Sequence, residues 1–177
     1  MSQIHPVQIL LDEHRTIEGV LDAFEDALLR LDRVPFPTQW FSEALDFFRH
    51  FVEGCHHNKE EELFFPQLRK AGFLEPHESG VAYLERIQKT FQAAAGSDRQ
   101  AIDAFRREGL DYVRFLRQHI RWEDELMHHV ASLPQREEEI QRLQEGARPP
   151  QFHQMDEETY EKYLALAEKL SGKRSSG

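Results

Sequence analysis

The segments His56-His57-Asn58-Lys59-Glu60-Glu61-Glu62-Leu63 and His119-Ile120-Arg121-Trp122-Glu123-Asp124-Glu125-Leu126 each place a His four residues before a Glu, and the two lie 63 residues apart. Four residues is about one helical turn, so on a helix each His and its Glu project from the same face and can grip one ion. A single pair of this kind is also what a solvated i, i+4 contact looks like. Two pairs on separate helices of an antiparallel set point to a binuclear metal site inside a bundle.

The elements that must position these groups follow from the apolar spacing. Val7, Leu10, His14, Ile17, Leu21, Phe24, Leu28 and Leu31 alternate steps of three and four, a bundle-facing seam in which His14 takes an aliphatic slot. Pro35 and Pro37 end this helix, and Thr38 is placed to cap the next. The second helix carries Phe41, Leu45, Phe48 and Val52 inward, and the same stripe runs on into His56, Glu60 and Leu63. Pro66 and Gly72 disturb or end it. A third helix is expected to open near Pro76, with His77, Val81, Leu84, Ile87 or Gln88, Phe91 and Ala95 as its seam. Beyond Gly96, Ser97 with Gln100 reads as a capping box for a fourth helix. Its seam of Ile102, Phe105, Gly109, Tyr112, Leu116, His119, Glu123, Leu126 and Val130 takes in both His119 and Glu123.

After Ala131 the character changes. Ser132-Leu133-Pro134-Gln135 resembles another capping box before a charged helix to about Gln144, Gly146 to Pro150 forms a loop, and an amphipathic helix runs from about Asp156 to Leu170. A Gly/Ser/Lys/Arg tail, expected to be disordered, follows. The late helices are expected either to pack on the bundle or to mediate association, with a second copy of the chain or another protein as partner.

In antiparallel helices, residues equally far from the connecting turn sit at similar depth. His14 and His56 are each 21 residues from position 35, and His77 and His119 are each 21 residues from Asp98. His14, His56, Glu60, His77, His119 and Glu123 therefore fall within about a turn of one level. Burying these imidazoles and carboxylates unpartnered would cost several kcal/mol, at about 1–3 kcal/mol per group. A cation changes that balance. Imidazole nitrogen and carboxylate oxygen suit iron, zinc or manganese. Six such donors exceed the needs of one tetrahedral zinc and suit two carboxylate-bridged ions with open coordination positions.

Other polar residues have plainer readings. His57 is expected about 100° around the helix from His56, behind the ligands or at the surface, although a register with His57 and Glu61 as the pair stays open. Glu61 and Asp124 read as solvated, with Asp124 an alternative to Glu123. Cys55 reads as a small buried residue, and His50, His128, His129 and His153 as surface groups. Phe48, Phe51, Phe64 and Trp122 read as core and pocket walls.

At 177 residues the chain is long enough for one domain with a substantial core plus a tail. Its net charge of -10 argues against nucleic acid or an anionic membrane surface as partner, since both require basic patches. No apolar run approaches a membrane span, residues 1–13 lack a secretory signal, and the single cysteine rules out an intrachain disulfide. A cytoplasmic location is expected.

The chain resembles the hemerythrin-like, or HHE cation-binding, domains. The matching pieces are Asp12-Glu13-His14, the block from Cys55 to Pro66, Pro76-His77-Glu78 and the run from His119 to Asp124, over about residues 5 to 130. The resemblance implies an all-α, up-and-down antiparallel four-helix bundle over residues 1–131, with a C-terminal helical extension and tail over 132–177. It also implies a non-haem centre of two iron ions, zinc or manganese being alternatives, held by His14, His56, Glu60, His77, His119 and Glu123, with the glutamates as bridges. Such a centre would bind, sense or process a small ligand such as O2, nitric oxide or peroxide. Two departures stand out. Met127-His128-His129 replaces the Leu-Phe-Pro the family often repeats, and one third-helix His stands where oxygen carriers supply two, which argues against simple O2 carriage.

Two alternatives come from the same residues. Glu53/His56 and Glu125/His128 have the Glu-x-x-His spacing of a ferritin-like di-iron carboxylate oxidase, with Glu18 and Glu78 as loose candidates for its remaining carboxylates. A non-enzymatic iron sensor or interaction module, responding through the terminal helices, is the other.

Overall fold

The computed structural model describes residues 6–66, 80–132 and 155–172, and these residues are helical or in turns, with no strand among them. Helix α1 is Pro6–Leu29. Helix α2 is one continuous run with changing pitch: Thr38–Phe47 is α-helical, Phe48–His56 is π-helical, His57–Lys59 returns to α and Glu60–Phe64 is again π. Helices α3, α4 and α5 are Val81–Ala95, Arg99–Ser132 and Glu157–Ser171. The expected helix before Gln144, the Gly146–Pro150 loop and the tail beyond Gly172 lie outside the described residues, as does Pro76.

Cross-helix contacts give the topology. Phe24 meets Phe41 near the first turn, and His14 meets His56 farther from it, so α1 and α2 run antiparallel. Phe91 with Phe105 and Tyr83 with Phe115 show the same for α3 and α4. Leu28 with Arg106, Asp22 with Arg117 and His14 with Asp124 make α1 and α4 antiparallel as well. Phe41 with Phe105, Phe48 with Tyr112 and His57 with His119 set α2 and α4 parallel across the diagonal. This is the up-and-down bundle expected. Helix α5 is added outside it against α1 and α2, running antiparallel to α2 from Tyr160 at Phe51 to Lys169 at Glu43.

Two helix starts differ from the sequence reading. Thr38 is the first helical residue of α2, and its hydroxyl donates to the Phe36 carbonyl (3.5 Å), with Pro37 in the capping position. Ser97 cannot cap α4 because it adopts a left-handed φ of 66° in the tight turn after Gly96. Asp98 caps instead, its Oδ1 accepting from the Ala101 amide at 2.8 Å.

The apolar interior comes in two parts. The larger packs Phe24, Phe41, Phe48, Phe105 and Tyr112 with the aliphatic seams, and α5 joins it through Ala167 and Leu170. The smaller gathers Val7, Leu10, Phe65 and Met127 at the other end of the bundle. Between them lies a layer of buried polar side chains, flanked along α1 by Leu10 and Ile17 and along α4 by Leu116 and Met127.

Where α1 packs on α4, Gly109 leaves room for the Leu28 and Phe24 side chains. A Cβ there would meet Leu28 Cδ1 at 2.7 Å and Phe24 Cε1 at 3.3 Å, both side chains fully buried. A Gly109→Val substitution should therefore destabilise the fold by about 1–3 kcal/mol through overpacking, outweighing any gain in helix propensity. A urea midpoint equal to or above that of the parent would contradict this reading of the contact.

Candidate metal centre

The polar layer is built by adjacent turns of α1, α2 and α4. Glu60 Oε1 lies 3.2 Å from His56 Nε2 and 3.3 Å from His14 Nε2. Glu123 sets Oε2 3.5 Å from His14 Nε2 and Oε1 3.0 Å from His119 Nε2. Ligand atoms of His14, His56, Glu60 and Glu123 all fall within 4.8 Å of one another, and those of His57, Glu60 and His119 do the same. Glu60 belongs to both groups, and the two oxygens of Glu123 face different histidines. His77 lies outside the described residues.

Three of the histidines are held from behind by carboxylates. His14 Nδ1 donates to Asp124 Oδ1 (2.7 Å), His56 Nδ1 to Glu13 Oε2 (2.9 Å) and His57 Nδ1 to Glu53 Oε2 (3.1 Å). A carboxylate can only accept, so Nδ1 carries the proton in each ring and Nε2 is turned into the layer. Carboxylate–histidine pairs of this type fix ring orientation and raise the basicity of the free nitrogen toward a cation.

The donor set fits a cation by two measures. His14 Nε2 and His56 Nε2 are buried and make no hydrogen bond among the described residues, although carboxylate oxygens stand close by. Cation–ligand bonds of about 2.0–2.2 Å separate neighbouring donors by roughly 2.8–3.6 Å at tetrahedral to octahedral angles. The four nitrogen–oxygen separations above, 3.0–3.5 Å, fall in that range. Nitrogen and oxygen donors without sulfur suit iron, zinc or manganese.

His57 departs from the sequence reading. It is buried at 4% exposure and its ring packs edge-on against His119 at 5.2 Å. Glu61 is exposed, so the alternative His57/Glu61 register does not form. Instead, His56 and His57 both turn inward with Glu60. The π-helical pitch of Phe48–His56, which ends just before His57, widens the turn through i to i+5 bonding and reduces the rotation between successive residues. Asp124 is not a replacement for Glu123; it stands behind His14 and pairs with Arg15.

The backing carboxylates and Lys59 also escaped the sequence reading. Glu13, Asp124 and Glu53 each had a local signal, being next to a candidate His, next to a candidate Glu, or four residues before His57. The Glu53 contact with His57 also removes it from the Glu53/His56 pairing that a ferritin-like site needs. Glu125 and His128 are exposed, so the second such pair does not reach the layer, and Glu18 is paired with Arg15 at 2.6 Å. Glu78 lies outside the described residues. Cys55 is buried as expected, and burial pushes its thiol up to about 11, leaving it protonated at neutral pH.

Proton affinities in the layer are strongly perturbed. Burial opposes a positive charge on His14, but Asp124, Glu123 and Glu60 outweigh it and lift its pKa well above the ordinary value. Burial likewise opposes the charge on His56, yet Glu60 and Glu13 raise it to about 9. His119 is raised by Glu123 against its own burial. Glu60 is held well below the usual carboxylate range, against burial, by His56 and His14.

Comparison with known proteins gives the same direction. The family model for the hemerythrin HHE cation binding domain matches residues 5–131. An uncharacterized protein of Mycobacterium bovis, and one in each of two strains of Mycobacterium tuberculosis, are 29% identical in an alignment 126 residues long that covers 65% of this chain and 49% of theirs. The chain thus spans about half the length of these curated relatives. No solved structure matches it.

The raised histidines make metal-free protein sensitive to alkali. A His whose pKa is about 9 when folded and about 6.5 when unfolded contributes stability that is fully present below pH 6.5 and lost as pH rises through 9. For His56 the loss is on the order of 3 kcal/mol. Thermal melts of chelator-treated protein should fall between pH 6.5 and 9, whereas a bound cation replaces those protons and should abolish the fall. Equal pH dependence with and without added metal would contradict this account of the layer.

Proposed function

The chain belongs to the hemerythrin HHE cation-binding family, and from that premise we propose that it holds a non-haem di-iron centre and binds, senses or processes O2, nitric oxide or peroxide there. The observation that carries the reading is the sharing of carboxylates: Glu60 reaches His14 and His56, while Glu123 reaches His14 and His119. Two ligand groups that share glutamates call for two bridged ions.

In this reading His14, His56, Glu60 and Glu123 hold one ion, and His57, His119, Glu60 and Glu123 hold the other, with His77 completing the set. Bound iron supplies one-electron redox chemistry and open positions for a small ligand. The protein's own contribution is positional. Asp124, Glu13 and Glu53 fix the imidazoles, and the apolar groups on either side of the layer keep bulk water out. Zinc or manganese would use the same donors. The assignment carries with it a cytoplasmic setting and a bundle unit of residues 1–131 followed by an extension of 132–177. A ferritin-like carboxylate oxidase is disfavoured because Glu125 and His128 lie at the surface.

Aerobically purified protein reconstituted with ferrous iron should carry about two irons per chain and show near-ultraviolet absorption from an oxo-bridged pair. Glu60→Ala should bring the metal content to one per chain or less, because Glu60 belongs to both ligand groups and each would lose a donor. A wild-type protein that never exceeds one metal per chain and lacks this absorption would end the di-iron reading. Spectra of the reduced protein exposed separately to O2, nitric oxide and peroxide would then choose among the ligands.

A further inference from the structure

Helix α5 lies beyond residue 131, where the match to the family model stops, yet one of its side chains reaches the metal layer. Tyr160 Oη donates to Glu13 Oε1 at 2.7 Å. The other oxygen of Glu13 accepts from His56 Nδ1 at 2.9 Å, and Lys59 Nζ also pairs with Glu13. The Lys59 ammonium sits 4.5 Å over the Tyr160 ring. Glu13 is 2% exposed and Lys59 fully buried, so water does not substitute for any of these donors.

We propose that Tyr160 is a positioning residue of the metal centre, fixing His56 through Glu13 and making α5 a functional part of the site. The inference rests on the metal reading above. His56 holds Oε2 of Glu13, while Lys59 and Tyr160 share Oε1. An ammonium on a flexible stem fixes no bond direction, whereas a phenol on a docked helix does, so Tyr160 sets the orientation of the carboxylate and of the His56 ring with it. Because α5 contributes a donor, metal binding and the docking of α5 are thermodynamically linked: whatever α5 adds to metal affinity, metal adds to its docking.

The rest of α5 provides an internal control. Tyr163 Oη donates to Asp46 Oδ2 at 3.0 Å, and Lys169 pairs with Glu43, both away from the polar layer. Tyr160→Phe and Tyr163→Phe each remove one phenolic hydrogen bond from the same helix, but only the first touches Glu13. If Tyr160 merely anchored the helix, the two variants would behave alike.

The test is competition of each full-length protein with a chelator for cobalt(II), read also through the visible d–d bands of the loaded protein, which report ligand geometry. Tyr160→Phe should bind roughly tenfold more weakly and shift those bands, within the roughly 10- to 100-fold cost typical of lost outer hydrogen bonds to metal ligands. Tyr163→Phe should match wild type in both. Hydrogen exchange of α5 amides should slow on metal binding in wild type, and by less in Tyr160→Phe; this readout stands even if affinity changes through a small loss of stability. Wild-type affinity and bands in Tyr160→Phe, or the same change in both variants, would overturn the inference alone. A wild type that binds no metal would overturn the metal reading as well as this inference.

Discussion

A layer of imidazoles and carboxylates buried across an otherwise apolar bundle is the constraint on which the rest of the structure depends. His14, His56, His57, Glu60, His119 and Glu123 are almost wholly excluded from water, with Glu13 and Lys59 beside them, and the rest of the interior among the described residues is aromatic and aliphatic. Such groups are tolerated only where each polar atom has a partner. The structure meets this on the outer side of the rings with Asp124, Glu13 and Glu53, and leaves the inner nitrogens and oxygens converging. Protons can balance the inner charges in the metal-free state, which is why the histidine pKa values rise and that of Glu60 falls. Bound cations would perform the same neutralisation in place of several protons.

The pitch of α2 follows from the same demand. On a regular α-helix His56 and His57 stand about 100° apart, with Glu60 about 40° from His56 and between them, and a smaller rotation per residue draws the two imidazoles closer to one face. The π-helical stretches Phe48–His56 and Glu60–Phe64 contain His56 and Glu60 and bracket the short α-helical turn His57–Lys59, placing the departure from regular geometry where the chemistry is densest. π-turns carry weaker packing of the backbone, and they tend to persist where the displaced side chains gain something the α-form denies them. Here the gain is a fourth imidazole, His57, beside His119 and with its own carboxylate, Glu53.

Much of this was legible in the sequence because it depends on periodicity and distance from turns. The three-and-four seams gave the helices, and equal spacing from position 35 placed His14 beside His56, whose rings meet at 4.7 Å. The exposed Glu61 and buried Glu60 follow from the same register. The inward turn of His57 was not legible, because a sequence read at 100° per residue has no term for a change of pitch. Asp98 caps α4 although Ser97 offers the more familiar sequence pattern, and the left-handed φ of Ser97 with the Ala101 amide bond to Asp98 decides between them. The carboxylates behind the rings were equally hidden. Glu13 and Asp124 sit beside residues already singled out, and in a surface-rich acidic chain such neighbours look like solvated faces.

Helix α5 changes what counts as the inside of the bundle. Phe47, Phe51, Cys55 and Lys59 form a second stripe on α2 at steps of four, and all four are buried. In a bare four-helix bundle a stripe turned away from the central seam would face water, where a lysine is at ease and a pair of phenylalanines is not. The phenylalanine stripe therefore requires a cover, and Phe51 against Tyr160 shows what provides it. Covering the stripe also buries Lys59, and an ammonium taken out of water must be matched by a carboxylate in close contact. Glu13 supplies that charge, with its own carboxyl kept ionised against burial by His56 and Lys59. The outer helix, the buried lysine and the orientation of a metal-facing histidine are thus consequences of one packing decision, made by aromatic residues on the outward side of α2.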